Sequence, residues 1–180
     1  IETDDNVLPL IESVIEDGVL KIRPVKRNTN LHTKNMRIVV QAKTIDRLAL
    51  AGSGSIDSDA LKGNKLQFDI GGSGSLNVKG MDAEAVAISL GGSGDMKSGG
   101  GRAGTLSVAI GGSGDVDVGQ VQAGDASVSV AGSGEAIVWA NTGLSVTIAG
   151  SGDVNYYGDP KVSKSIVGSG DVTRKGGAPK

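Results

Sequence analysis

The tripeptide Gly-Ser-Gly recurs seven times, beginning at Gly52, Gly72, Gly92, Gly112, Gly132, Gly150 and Gly168. The interval is 20 residues four times and then 18 twice. A fixed period of this size marks stacked repeats, each too small to bury its apolar face alone. The flanking residues repeat as well. Six, four and two residues before the corner stand Leu66, Phe68 and Ile70, then Val86, Ile88 and Leu90, then Leu106, Val108 and Ile110, and later Leu144, Val146 and Ile148. Four and six residues after it stand Leu76 and Val78, Val116 and Val118, Val154 and Tyr156. Both runs alternate apolar with polar, as a strand with one buried face does. β-branched residues fill most of the apolar places and suit a pleated surface.

Two strands joined at a corner could build a hairpin meander or a solenoid. A meander alternates two kinds of connection. Here one corner is copied seven times, which favours coils that pair in parallel at about 4.8 Å. The expected fold is all-β: a single-stranded parallel β-helix of about seven coils of 18–20 residues, right-handed by the crossover preference. Such a stack would be about 34 Å long. The turn residues are the corner pairs Gly52 and Gly54, Gly72 and Gly74, Gly92 and Gly94, Gly112 and Gly114, Gly132 and Gly134, Gly150 and Gly152, and Gly168 and Gly170. At least one of each pair supplies a positive φ. A third side shows in the first coils. Leu61, Met81, Gly101 and Val121 are followed two places on by Gly63, Ala83, Ala103 and Ala123, which suits a short third strand or rounded corner. Two residues are missing from this region from 150 onward, so the cross-section should narrow toward the C-terminus.

Hydrophobic residues make up 38% of the chain and aromatic ones only 2%, so the core must be thin and aliphatic. The 30 glycines fall at periodic corners, which argues against disorder as their explanation. A net charge of −2 excludes a general nucleic-acid binder. No apolar run is long enough to span a bilayer, so no transmembrane segment is expected in this fragment. The chain opens on Ile1 and reads as a trimmed fragment, with any address label already removed. It has no Cys, hence no disulfide and no thiolate metal site.

Residues 1–45 break the pattern. Asp4, Asp5 and Asn6 precede Val7, Leu8, Leu10, Ile11, Val14 and Ile15, which reads as a short capped helix stopped at Asp17-Gly18. Residues 19–45 read as an irregular first coil, with the helix as its lid. The regular coils run over 46–175, and 176–180 form a frayed tail, all in one domain overall. Lys21, Arg23, Lys26, Arg27, Lys34, Arg37, Lys43 and Arg47 gather near this end. A solvated face balancing acidic residues explains them better than an anion site, since no aromatic residue interleaves with them. His32 is the only histidine and stands without a second His or a Cys, so it is read as loop surface.

Four rows offer sites. An acidic row follows the corner, with Asp95, Asp115, Glu135 and Asp153 as speculative cation ligands. Turn hydrogen bonds would relieve their repulsion equally well. A serine row, Ser53 to Ser169, has too many equivalents and no nearby His for a nucleophile, and reads as a hydroxyl ladder. From Ala87 to Ser165 the outward places of the first strand read as small uncharged residues, among them Ser107, Ser127, Ser129, Ser145 and Thr147. A flat uncharged face of this kind could pack against another chain or a carbohydrate, or simply tolerate small residues. Trp139 and Tyr157 follow their corners by equal distances and should be neighbours, with Tyr156 beside them. They would stack a sugar or peptide, or form a local aromatic pair over the core.

The stretch Leu106-Ser-Val-Ala-Ile-Gly-Gly-Ser-Gly-Asp-Val116, with its copies and the Glu16-Asp17-Gly18-Val19-Leu20-Lys21-Ile22 stretch, resembles the putative auto-transporter adhesin, head GIN domain family over nearly the whole chain. The resemblance implies a secreted bacterial β-helix protein, periplasmic or on the outer cell surface, and brings no catalytic residues. The expected function is a non-catalytic module that binds a macromolecular ligand through a flat face. A self-associating scaffold of the cell envelope is the alternative. A carbohydrate-active enzyme would need clustered carboxylates, whereas these form a ladder. No cofactor is expected. The partners that suit such a surface are a carbohydrate, a protein, or a second copy of the chain.

Overall fold

The computed structural model describes residues 1–26 and 36–180. It forms two compact units, Ile1–Lys43 and Thr44–Lys180. His32, Arg27 and Lys34 lie outside the described residues.

The expected N-terminal helix is absent. Only a 3-10 turn, Leu8–Leu10, is helical there. Strands β1 (Ile11–Glu16) and β2 (Val19–Pro24) follow, paired antiparallel in a two-stranded sheet of their own. The sequence shows why. Asp17-Gly18 is a hairpin turn rather than a helix stop, and both residues take positive φ, 52° and 77°. Positive φ at both central places is what a two-residue turn requires to match strand twist. Ile11, Val14 and Ile15 are β-branched and lose less freedom in a strand than in a helix. Ion pairs Lys21–Glu16 and Arg23–Glu12 lie across the hairpin. Among the described residues of 19–43 no strand joins the solenoid sheet: β2 pairs with β1, and Arg37 makes an isolated antiparallel bridge to Glu2.

The second unit is a parallel β-solenoid. Its strands are β3 (Arg47–Gly52), β4 (Ser55–Ser58), β5 (Leu61–Gly72), β6 (Ser75–Val78), β7 (Met81–Gly92), β8 (Asp95–Ser98), β9 (Gly101–Gly112), β10 (Val116–Gly132), β11 (Glu135–Gly150), β12 (Asp153–Tyr157), β13 (Lys161–Gly168) and β14 (Val172–Gly176). Every pairing among them is parallel. β3, β5, β7, β9, β10, β11 and β13 pair in succession along one side. The short strands pair along the other, and within β10 and β11 both sides belong to one continuous strand. Seven corners enclose about six full coils rather than seven, so the stack is about 29 Å long.

Equivalent residues lie in register from coil to coil. Leu66, Val86, Leu106, Ala126 and Leu144 are successive partners and all at most 5% exposed. Burying each such aliphatic side chain stabilises by about 1.5–3 kcal/mol before entropy is counted. The core is thus a bundle of aliphatic columns with one phenylalanine, Phe68, at 1% exposure. The third side is no separate strand: Leu61 and Met81 open the 12-residue strands β5 and β7.

The corner explains the fixed tripeptide. Gly112 has φ 137°, and a Cβ there would sit 2.2 Å from the carbonyl oxygen of Gly92 in the coil before. That same oxygen accepts the Ser113 amide at 2.9 Å. Coils can approach this closely only without a side chain at that place.

The narrowing exists, but lies before residue 150 and not after it, within the 18-residue interval Gly132–Gly150. Between β10 and β11 the register jumps from Asp117↔Ile137 to Gln122↔Trp139, then settles at Asp125↔Gly143. The coil entering β11 drops three residues on the third side and regains one.

Candidate functional site

The solenoid side formed by β7, β9, β10, β11 and β13 presents the small-residue face, whereas on β5 the same rows hold Gln67 and Asp69. Ser107, Ser127, Ser145 and Ser163 are successive register partners. Ala109, Ser129, Thr147 and Ser165 form the neighbouring row. All eight are exposed. The two rows lie about 7 Å apart along the strands, and residues within a row about 4.8 Å apart. No side chain in them is longer than threonine, so the backbone relief is close to flat. The alternation dictates this: the inward partners are the core columns, and a one-residue slip would exchange the two faces.

A shallow groove crosses this face beside the serine row. Thr105, Asp125, Gly143 and Lys161 line its outer margin, with Ser127 and Ser145 along its length. Asp125 leans over Gly143, where a Cβ would lie 2.6 Å from its Oδ1. The margin therefore carries a carboxylate and an ammonium, while the face itself is neutral. Hydroxyls at regular intervals, each able to donate and accept, can address a partner rich in hydroxyl or amide groups.

The aromatic pair lies elsewhere. Trp139 and Tyr157 are register partners, as expected, but on β11 and β12 at the second side. The structure does not bring them to the serine rows. Tyr156 is not beside them: it pairs with Val138 in the core column and points inward. The two rings are used within the fold. Ile137 Cγ2 and Tyr157 Cε2 converge over Gly119, where a Cβ would lie 2.8 and 3.4 Å from them. A Cβ on Gly158 would lie 3.3 Å from Trp139 Cδ1. Trp139 Nε1 is shielded from solvent and has no acceptor among the described residues. Gly119 and Gly158 were not singled out in the sequence, because their role depends on rings one and two coils away.

The acidic row is a staircase. Asp115 Oδ1 accepts the Glu135 amide at 2.9 Å, and Asp153 Oδ1 accepts the Asp171 amide at 2.9 Å. Asp95 Oδ1 receives the Asp115 amide at 3.4 Å, and Glu135 takes the Asn155 side-chain amide. Each carboxylate thus points at a donor in the next coil. Among the described residues no three His, Asp or Glu side chains gather as a metal cage. On the same side Asp59 and Lys79 form an exposed pair at 2.6 Å. The hydrogen bond to Lys79 holds the Asp59 carboxyl below its ordinary value and raises the Lys79 ammonium above its own. The basic residues near the N-terminus are partly spoken for: Lys21, Arg23 and Arg47 pair with Glu16, Glu12 and Asp69.

Comparison with known proteins agrees with this architecture. A family model described as "putative auto-transporter adhesin, head GIN domain" matches residues 1–160. A solved structure of a putative adhesin from Bacteroides fragilis NCTC 9343 aligns with TM-score 0.86 at 22% identity, covering 96% of this chain and 83% of that one. A putative lipid binding protein from Parabacteroides distasonis ATCC 8503 aligns with TM-score 0.69 at 29% identity, covering 96% and 81%. A putative adhesin from Parabacteroides merdae ATCC 43184 gives 0.75 at 21% identity, covering 96% and 80%. None of these names is that of an enzyme. No curated protein matches the sequence.

Proposed function

We propose, on the premise that this chain belongs to the putative auto-transporter adhesin, head GIN domain family, that it is a non-catalytic binding module of the bacterial cell surface or periplasm. Its flat face contacts a macromolecular ligand. The observation that carries this reading is the double row of small exposed residues, Ser107, Ser127, Ser145 and Ser163 beside Ala109, Ser129, Thr147 and Ser165. Solenoids characteristically bind along such extended sides. A flat, regularly spaced hydroxyl surface suits a carbohydrate or protein surface with a similar repeat. The acidic ladder favours a structural role over catalysis, since its carboxylates already accept backbone amides. The Trp139–Tyr157 pair likewise serves packing over Gly119 and Gly158.

The test is a glycan-array and matrix-protein binding assay on the soluble chain, with lipid vesicles as a third arm because one relative is named for lipid binding. Ser127→Arg and Ser145→Arg place long charged side chains on the face at exposed positions, where folding should tolerate them. Binding by the parent chain and its loss in the double variant are expected. Binding that survives both substitutions would move the site elsewhere. Absence of any ligand, together with the face buried in a stable oligomer, would favour the scaffold reading instead.

A further inference from the structure

The core columns do not run to the last coil unchanged. Phe68, Ile88, Val108, Val128 and Val146 are successive inward partners, each at most 3% exposed. The next place in that column, opposite Val146 on β13, is Lys164. On the other side of the solenoid, Val138 is followed by Tyr156 and then by Arg174 on β14. Arg174 Nε donates to the Gly158 carbonyl oxygen at 2.8 Å, and its Nη2 lies 3.6 Å from Asp159. The guanidinium is thus tied to the preceding turn.

These two charges stand on the last coil of the stack. Among the described residues β13 pairs only with β11, and β14 only with β12, which leaves one backbone edge of each without a strand partner. Val162 and Val167 are 40% and 73% exposed on β13. An edge with exposed apolar residues is a template for a further strand, and charge at inward register places, exposed here on the last coil, is one way proteins block it. The corner itself gives no protection, because Gly168 keeps the same left-handed φ, 134°, as the corners before it. A second copy continuing the stack in register would set Lys164 on Leu48, Arg174 on Ser58, and Val162 against Asp46, the residue in line with Leu66. Two cations would then enter a core whose nearest carboxylate, Asp46, stands one inward place from Lys164 and not against either cation.

We propose that Lys164 and Arg174 form a charged stop, which prevents a second copy of this chain from adding its first coil to the last one. The stop leaves the sides of the solenoid available and closes the coil axis to open-ended growth. It does not depend on what the flat face binds, and it opposes the end-to-end form of the scaffold reading.

The test removes the charges. Lys164→Val combined with Arg174→Val restores apolar residues to both columns. Static light scattering across a hundredfold range of protein concentration should give a constant mass for the parent chain. The double variant should give a mass that keeps rising, at least tenfold, with elongated particles in electron micrographs. Lys164→Arg with Arg174→Lys keeps the charges and should behave as the parent. Lys164→Met combined with Arg174→Met is a second neutral variant, should the valine pair impair folding by circular dichroism. Its mass should also rise with concentration. Open-ended growth of the parent chain, or constant mass in either folded neutral variant, would overturn the proposal.

Discussion

Two adjacent glycines at one corner separate the causes of the Gly-Ser-Gly repeat. Gly112 has φ 137°, and a Cβ there would approach the Gly92 carbonyl oxygen to 2.2 Å. Gly111 is its neighbour, yet the nearest atom to a Cβ there is Leu90 O at 4.0 Å. The equivalent places in later coils already hold Ala131 and Ala149. Gly52 supplies the third case, with φ 108° but nothing within 4 Å. Gly52→Ala therefore isolates backbone strain, about 1–3 kcal/mol. Gly112→Ala adds a backbone overlap that forces neighbouring coils apart, about a further 1–3 kcal/mol. The expected losses are about 2–6 kcal/mol for Gly112→Ala and about 1–3 for Gly52→Ala. Gly111→Ala should be neutral or stabilising by up to about 1 kcal/mol, through the unfolded chain. In a chain of this size the largest effect corresponds to a fall of roughly 4–24 °C in Tm. Urea and thermal unfolding followed by circular dichroism would rank the three. If Gly112→Ala unfolds no earlier than Gly111→Ala, coil contact at the corner is not what fixes the glycine.

Two further outcomes follow from the second side. Asp59 titrates below its ordinary range because Lys79 donates to it, and Lys79 above its own because Asp59 accepts. The pair's contribution is present between the two unfolded values, fades as pH falls through the depressed Asp59 value, and fades again as pH rises through the raised Lys79 value. Carboxyl-carbon NMR of Lys79→Gln should show Asp59 moving up toward its ordinary value; an unmoved titration would mean that the pair does not form in solution. Trp139→Phe removes a shielded indole N–H that has no acceptor among the described residues. Relief of about 1–3 kcal/mol from that orphan donor should offset most of the lost ring area, leaving Tm close to the parent. A steep fall in Tm would show that the indole nitrogen has a partner in solution.

The parallel solenoid was legible because the period placed like residues above like. Leu106 and its partners are a column in the sequence before they are one in space. The flat serine face was legible for the same reason, since alternation alone assigns Ser127 and Ser129 outward. Segments outside the period were read less well. Residues 11–16 carry apolar residues that fit either a helix or a strand, and the two-residue Asp17-Gly18 turn decided for the strand.

The order of coils, the aliphatic core and the glycine corners were thus determined by sequence alone, because repeated local geometry propagates itself by register. Tertiary structure decided what depends on contacts between coils. It placed Trp139 and Tyr157 on the side away from the serine rows and folded their rings over Gly119 and Gly158. It turned the acidic row toward the amides of the next coil. It also set Lys164 and Arg174 at the ends of apolar columns, where their charge gains meaning only from what lies beneath. A single strand states which way a side chain points; only the stack states what it meets.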